Sequence, residues 1–193
     1  MIKITFHNKL IAYFEKILEK SKILTKIYIT FFKKMTIKEF SIAPIPDNSK
    51  VLIIGCGSLP HTMIILAMQK NWKITGIDID PKAVKKAKSM IKKYKLKGEI
   101  EIIQNNGLTV DLTGYDLIVV SYDVQPKEKM LERIIKDMDD KTLILYRTTW
   151  ESFEKIYGKE KIAKNVNILK TFYRSDFIKS ILMSRRTKEW ILF

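Results

Sequence analysis

Residues 51–58 read Val51-Leu52-Ile53-Ile54-Gly55-Cys56-Gly57-Ser58, and this stretch decides the fold. Its four apolar residues form a continuous run, which is typical of a strand buried on both faces. The run ends at a glycine, and residues 59–69 then follow the periodicity of a helix. A second apolar run over residues 73–77 ends at Asp78. Strand, helix and strand with short joints predict a parallel sheet covered by helices.

The same alternation continues along the chain. It predicts further strands over residues 100–104, 117–120, 142–146, 166–172 and 177–183, and further helices over residues 81–94, 126–138 and 150–157. Only residues 173–176 separate the last two strands, and a connection this short cannot make a parallel crossover. The sequence therefore predicts a mostly parallel α/β sheet that ends in an antiparallel hairpin.

The N-terminal part of the chain has a different pattern. Apolar residues between Leu10 and Met35 recur in steps of three and four, which predicts one long helix or two helices broken near Ser21. Pro44 and Pro46 then mark a loop. We accordingly predict a basic helical segment over residues 1–43 and a ligand-binding domain over residues 44–193.

The composition limits the function classes. The chain has 193 residues, 46% of them hydrophobic, which excludes a disordered or collagen-like protein. One cysteine and no cationic-then-apolar leader favour a cytoplasmic location, and no apolar run approaches the ~20 residues of a membrane-spanning helix. The net charge of +15 is concentrated towards the two ends of the chain, so RNA, an anionic membrane surface and an acidic protein are candidate partners, as is a second copy of the chain.

Polar and glycine residues follow each predicted parallel strand, at the edge where open sheets bind ligands. Glycine lets a ligand approach the backbone closely, and an acid about twenty residues further on can accept hydrogen bonds from ribose hydroxyls. An amide after the third strand suits an adenine edge. These positions predict a nucleoside-shaped site whose ligand-binding residues are Gly55, Cys56, Gly57, Ser58, Leu59, Asp78, Ile79, Asn106, Gly107 and Ser121.

Two common nucleotides fit this pattern poorly. A nicotinamide dinucleotide requires a third glycine for helix–sheet packing, and Pro60 stands at that position. The chain also lacks the glycine-lysine loop that cradles phosphates in P-loop proteins.

Residues 51–147 resemble the class I S-adenosyl-L-methionine (SAM) dependent methyltransferase domain. The resemblance rests on the glycine turn, on Gly76-Ile77-Asp78-Ile79-Asp80 and on Tyr115-Asp116-Leu117-Ile118. It implies a Rossmann-like, doubly wound sheet of seven strands. More narrowly, Gly55-Cys56-Gly57-Ser58-Leu59-Pro60-His61-Thr62 is similar to the glycine–leucine–proline turn of nicotianamine synthases, as is Tyr146-Arg147-Thr148 to the end of their fifth strand. That group transfers aminocarboxypropyl units.

The resemblance also implies residue roles. SAM would be the cofactor, with its methionine part near Gly55 and Gly57 and its ribose on Asp78. Asn106 stands where the family commonly has an acid that contacts the adenine amine, and Ser121 would lie beside the sulfonium. The family's base-methylating members often carry an Asn/Asp-Pro-Pro-aromatic motif after the fourth strand, and this chain does not, which disfavours methylation of an exocyclic base nitrogen.

Group transfer from SAM mainly requires that the nucleophile be aligned and lose a proton. Asp123 and Tyr122 are the predicted catalytic residues, although a tyrosine there is more often a wall of the adenosine pocket than a base. His61 is a third candidate for removing the proton, although a histidine there is more often a solvated or capping residue. We expect His61 and Arg147 to contact the substrate, and for Arg147 an ordinary salt bridge is the alternative. Cys56 is expected to fill space, and we predict no metal site.

The preferred hypothesis is a SAM-dependent methyltransferase that acts on an unidentified small-molecule or macromolecular acceptor, such as a protein. Two alternatives stay open at this point. One is an aminocarboxypropyl transferase of the nicotianamine synthase type, and the other is a non-catalytic basic module that binds RNA or protein. The lysine-rich stretch over residues 82–97 fits a solvated surface or a phosphate-binding one.

Overall fold

The computed structural model describes residues 22–150, 152 and 165–186. Its helices are α1 (Lys22–Phe40), α2 (His61–Gln69), α3 (Pro81–Ile91) and α4 (Lys127–Asp137). Its strands are β1 (Lys50–Ile54), β2 (Lys73–Asp78), β3 (Glu99–Gln104), β4 (Leu117–Val120), β5 (Leu143–Thr149), β6 (Val166–Tyr173) and β7 (Ile178–Arg185). The helix predicted before residue 22 and most of the one predicted over residues 150–157 lie outside the described residues.

The strands form one seven-stranded sheet in the order β3-β2-β1-β4-β5-β7-β6. Strands β1 to β5 pair in parallel, whereas β7 pairs antiparallel with both β5 and β6. This arrangement confirms the predicted Rossmann-like, doubly wound fold with its C-terminal hairpin. The strand order reverses between β1 and β4, and the carboxyl ends of these two strands form the crevice in which such sheets bind ligands.

Alternate residues of β1 pack on opposite faces of the sheet, as a strand's two-residue period requires. Val51 and Ile53 belong to a core cluster that contains α2 and α3 residues, and Leu52 and Ile54 belong to a second cluster that contains α4 residues. All four side chains are at most 3% exposed. Burial of each such side chain stabilises the fold by roughly 1.5–3 kcal/mol, so β1 anchors both layers of helices.

The end of α1 is part of the same core. Phe40 is buried in the cluster that also contains Trp72, and the Trp72 indole Nε1 donates a hydrogen bond to the Pro46 carbonyl oxygen at 3.0 Å. The loop that follows α1 is therefore held against the sheet. The division of the chain at residue 43 stays a prediction.

No helix in residues 22–150 or 165–186 combines the length and apolarity needed to cross a bilayer.

Several boundaries differ from the sequence prediction, such as the end of α3 at Ile91, and two of the differences concern residues near the site. Strand β5 extends to Thr149 because it pairs along its whole length with β7, so Arg147 lies within the strand opposite Ser180 and not after it. Phe177, predicted as the first residue of the last strand, lies in the turn before β7 with φ +64°. In both cases the pairing between β5 and β7 determines where the strands end. The periodicity of apolar residues within each segment does not predict this pairing.

Candidate active site

A cavity of about 810 Å³ opens at the carboxyl ends of β1, β2 and β4. Predicted site residues from four loops and one strand converge on it. Of the predicted residues, Ser58 is the one that does not line the cavity. Those that do are Gly55, Cys56, Gly57, Leu59, His61, Asp78, Ile79, Asn106, Gly107, Ser121, Tyr122, Asp123 and Arg147. Among the lining residues that the prediction missed are Tyr28 and Phe32 of α1, and Arg174, Asp176 and Phe177 between β6 and β7.

The glycine bend after β1 has a backbone conformation that residues with a side chain rarely adopt. Gly55 and Gly57 have φ values of +78° and +68°. The Gly55 and Cys56 amides both donate to the Ile77 carbonyl oxygen, at 2.9 and 3.0 Å, which ties the bend to β2. A Cβ on Gly55 would lie 2.6 Å from Val124 Cγ2. Backbone conformation and lack of space therefore both require glycine at position 55.

The Asp78 carboxylate faces this bend. Its Oδ2 accepts a hydrogen bond from the Gly57 amide at 2.9 Å, and its Oδ1 accepts one from the Asp80 amide at 3.0 Å. Each carboxylate oxygen can accept about two hydrogen bonds, so Asp78 retains acceptor capacity towards the cavity. Asp80 does not share this role, since its side chain accepts from the Lys82 amide at 2.8 Å and caps α3.

After β3, Asn106 and Gly107 shape the cavity wall. The Asn106 side-chain oxygen accepts a hydrogen bond from the Leu108 amide at 2.9 Å, so it fixes the local turn. An amide oxygen has a second lone pair, and contact with an adenine edge stays a prediction. A Cβ on Gly107 would lie 2.6 Å from Met130 Cε and 2.7 Å from Ile54 Cγ2. Glycine at this position lets β1 and α4 pack closely beneath the cavity.

Cys56 lies between the two glycines but is buried. Burial, together with the nearby Asp78 charge, raises the pKa of its thiol to about 12. The thiol is therefore protonated at neutral pH, and a protonated thiol is a poor nucleophile. Its side chain belongs to the core cluster that also contains Met63.

The two predicted catalytic residues, Tyr122 and Asp123, line the cavity after β4. The Lys127 ammonium lies 4.7 Å from the centre of the Tyr122 ring and donates a hydrogen bond to the Arg147 carbonyl oxygen at 2.7 Å. This packing holds the tyrosine ring in place, as a pocket wall requires. A catalytic role for Tyr122 and Asp123 stays a prediction.

Arg147 forms a buried salt bridge with a residue that the sequence analysis missed. Its Nε and Nη2 donate to the two carboxylate oxygens of Glu39, at 2.8 and 2.9 Å. Glu39 also accepts from Arg174 Nη1 and from Ser180 Oγ, each at 2.5 Å. This cluster joins α1 to β5, to the turn between β6 and β7, and to β7. Of the two roles predicted for Arg147, the ordinary salt bridge is the one formed here, although its side chain also lines the cavity.

Glu39 is fully buried, and its ionisation depends on the two arginines. Burial alone would raise the pKa of the carboxyl, but the charges of Arg147 and Arg174 outweigh burial, so the pKa lies below its usual value. One signal in the sequence could have identified Glu39, since it is the sole acidic residue between Lys22 and Pro46. Among the described residues, His, Cys, Asp and Glu side chains form no group of three or more that could hold a metal ion.

The sheet order and the glycine bend facing an acid at the end of β2 define the class I, Rossmann-like architecture of SAM-dependent methyltransferases. The family described as "Methyltransferase domain" matches residues 45–186. The chain therefore belongs to the family of SAM-dependent methyltransferase domains, which confirms the resemblance drawn from the sequence, and SAM is the cofactor of this family.

Curated relatives include enzymes of several kinds. The chain is 26% identical over 135 residues to a carboxy-S-adenosyl-L-methionine synthase of Campylobacter jejuni, a match that covers 67% of this chain and 54% of the relative. It is 27% identical over 111 residues to the L-histidine 2-aminobutanoyltransferase of Yersinia pestis, covering 58% and 42%. A probable cobalt-precorrin-6B C(15)-methyltransferase (decarboxylating) of Methanobrevibacter smithii is 28% identical over 119 residues, covering 58% and 63%. The chain thus spans about half the length of the first two relatives.

Solved structures share the fold. A variant of the nicotianamine synthase MtNAS in complex with SAM superposes with a TM-score of 0.76 at 17% identity, covering 89% of this chain and 70% of that one. An RNA methyltransferase from Salinibacter ruber in complex with S-adenosyl-L-homocysteine superposes with a TM-score of 0.62 at 14% identity, covering 80% and 92%. At these identities the likeness concerns the fold.

The buried cluster predicts that Glu39→Gln destabilises the protein. Without the carboxylate charge, Arg147 loses its counterion and Arg174 keeps only its ion pair with Asp176. Removal of one partner from a buried pair costs about 3–5 kcal/mol. The pKa of Glu39 is lowered in the folded state. The contribution of Glu39 to the free energy of unfolding is therefore present above the unfolded-state pKa and is lost as the pH falls through the folded-state pKa. Urea unfolding of the wild type and of the Glu39→Gln variant, at neutral and at acidic pH, measures the difference in the free energy of unfolding.

The matched control for this prediction is Glu99→Gln. Glu99 pairs with Lys73 at 3.8 Å, but its side chain is 76% exposed, so its loss should change the free energy of unfolding by about 1 kcal/mol or less. If the two substitutions lowered the free energy of unfolding equally, Glu39 would not be a stabilising buried counterion. An effect of Glu39→Gln that persists unchanged at acidic pH would contradict that role as well.

Proposed function

We propose that this chain transfers a methyl group from SAM to a small-molecule acceptor. The observation that carries the proposal is the Asp78 carboxylate, hydrogen-bonded to Gly57 and lining a cavity of about 810 Å³. This volume lies in the upper part of the range for small-ligand sites, which leaves space for an acceptor beside the donor. Methyl transfer to a macromolecular acceptor and the predicted partners, RNA and a second copy of the chain, stay predictions.

Donor binding would use both the bend and the helix after it. The ribose hydroxyls would donate to the Asp78 carboxylate. Helix α2 begins at His61 after Pro60, which provides no side-chain cap, and its first turn has no acid. Amides at such a helix start, together with the helix dipole, suit the carboxylate of the SAM methionine part.

The transfer itself needs alignment more than chemical activation. A lone pair of the acceptor attacks the methyl carbon, the carbon–sulfur bond breaks, and its electron pair stays on sulfur to give S-adenosyl-L-homocysteine. The acceptor loses a proton at the same centre. Positioning of the two reactants and removal of that proton are the contributions available to the protein.

Aminocarboxypropyl transfer is the second candidate. In that reaction the acceptor attacks the methionine carbon next to sulfur, and methylthioadenosine is the by-product. The turn from Gly55 to Thr62 favours it, as does the similarity to the 2-aminobutanoyltransferase of Yersinia pestis. In this chain Thr62 Oγ1 lies 3.3 Å from both terminal nitrogens of Arg147, so the turn is joined to the buried arginine cluster.

We expect Asp78→Ala to weaken SAM binding at least about 10- to 100-fold, the loss expected for one hydrogen bond to a charged group, which is worth about 1.5–3 kcal/mol. Isothermal titration calorimetry with SAM measures the affinity. Asp111→Asn serves as the control, because Asp111 accepts its hydrogen bonds from Thr113 and does not line the cavity. An Asp78→Ala variant that folds and binds SAM like the wild type would remove the basis for the proposal.

The by-product distinguishes the candidate activities. Incubation with SAM and a panel of amine, hydroxyl and imidazole acceptors that includes L-histidine should yield S-adenosyl-L-homocysteine, detected by liquid chromatography. Reactions without acceptor, and reactions with Asp78→Ala, are the controls. Methylthioadenosine in place of that product would assign aminocarboxypropyl transfer, and tight SAM binding with neither product would favour a non-catalytic module.

A further inference from the structure

His61 is a cavity-lining residue whose proton position follows from one contact. Its Nδ1 lies 3.3 Å from the carbonyl oxygen of Leu59. A carbonyl oxygen only accepts hydrogen bonds, so Nδ1 carries the proton in this contact. In a neutral imidazole the other nitrogen then has a lone pair. Nε2 is therefore a hydrogen-bond acceptor in the cavity-lining ring.

The surroundings of the ring keep it neutral. Two rings from α1 pack against it, Tyr28 at 5.2 Å and perpendicular, and Phe32 at 5.7 Å between ring centres. Burial and the charges of Arg147 on β5 and Arg174 in the turn between β6 and β7 lower the pKa of His61 to about 4.

Two influences act in the opposite direction on the same group. The Glu39 carboxylate on α1 and the hydrogen bond to Leu59 both favour the protonated ring, but burial and the two arginines outweigh them. His61 is thus uncharged over the physiological range, and it neither repels the sulfonium of SAM nor donates a hydrogen bond from Nε2.

His61 packs against the α1 side of the cavity. Asp78 and the glycine bend lie at the ends of β2 and β1, whereas the His61 ring contacts Tyr28 and Phe32 of α1. That side of the cavity is left for an acceptor when the donor nucleoside occupies the bend. We propose that neutral His61 accepts a hydrogen bond at Nε2 from the N–H or O–H of the acceptor's nucleophilic atom and so orients that atom's lone pair towards SAM.

This inference rests on the proposed function and narrows its substrate class. The acceptor would be an amine, an imidazole or a hydroxyl compound, each of which offers a donor hydrogen on the attacking atom. A thioether has no such hydrogen and would not be oriented. His61 would then be a catalytic residue in the sense that it touches the reacting atom. The proton released on transfer would pass to Asp123, the predicted base that lines the same cavity, or to water.

Two substitutions separate this role from ring packing. His61→Phe keeps an aromatic ring between Tyr28 and Phe32 but removes the Nε2 acceptor. His61→Gln removes the ring and can place an amide oxygen close to the position of Nε2. If the role is the one proposed, phenylalanine should impair acceptor use and glutamine should restore it. A purely structural role would give the reverse order.

Nitrogen NMR of the full chain with ¹⁵N-labelled histidine tests the proton position directly. The chain has two histidines, His7 and His61, so the His61→Gln variant assigns both sets of signals. We expect the Nδ1–H tautomer of His61 to persist from about pH 8 to about pH 5. With S-adenosyl-L-homocysteine bound, unlabelled L-histidine or ethanolamine should shift the Nε2 resonance upfield, and dimethyl sulfide should not.

Kinetics with the same probes complete the test. His61→Phe should raise KM for L-histidine or ethanolamine about 10-fold, the loss expected when one hydrogen bond is removed, and calorimetry should show a smaller change in SAM affinity. A His61 that titrates with an ordinary pKa, or an Nε2 resonance that no probe shifts, would overturn the inference. In either case SAM binding by the wild type would still stand, so the proposed function is judged separately.

Discussion

The buried carboxylate of Glu39 is the constraint on which the side of the cavity near α1 and the turn between β6 and β7 depends. An ionised carboxylate is very unfavourable in a protein interior unless charges and hydrogen bonds compensate it. Arg147 on β5, Arg174 in the turn between β6 and β7, and Ser180 on β7 supply that compensation. A displacement of α1 would leave Glu39 and Arg147 without their ion-pair partner and Arg174 with Asp176 alone, so this cluster fixes the position of the helix that carries Tyr28 and Phe32.

Two carboxylates therefore shape the two ends of one cavity in different ways. Glu39 is 0% exposed and its oxygens are occupied by side-chain cations, so it is a structural group. Asp78 is half-buried and bonded only through backbone amides, so it keeps acceptor capacity for a ligand. Arg147 connects the two ends, because it contacts both Glu39 and Thr62, which follows the glycine bend.

The sequence predicted well which residues meet at the glycine bend, because that part of the cavity is local. Gly55, Gly57 and Asp78 lie at the ends of consecutive strands, and parallel pairing brings such ends together without further information. The opposite side of the cavity, near α1 and the turn between β6 and β7, is not local. Glu39 meets Arg174 across 135 positions of the chain, and Arg147 was placed after β5 because nothing in residues 142–149 reports the pairing with β7. Phe177 was assigned to a strand for its apolar side chain, although its backbone has the positive φ of a turn.

Whether this fold transfers a methyl or an aminocarboxypropyl group depends on which carbon of the sulfonium faces the acceptor. The sulfonium has three carbon substituents. In-line attack requires the nucleophile to approach one of these carbons from the side opposite its bond to sulfur, so only a carbon that faces the acceptor in this way can react. The ribose-bearing substituent is directed towards Asp78 when the nucleoside is bound there, which leaves the methyl and the methionine chain. A carboxylate seated at the start of α2 would bring the methionine chain beside His61 and Thr62. The geometry of that helix start relative to the sulfur, more than the identity of any single base, thus decides between the two reactions.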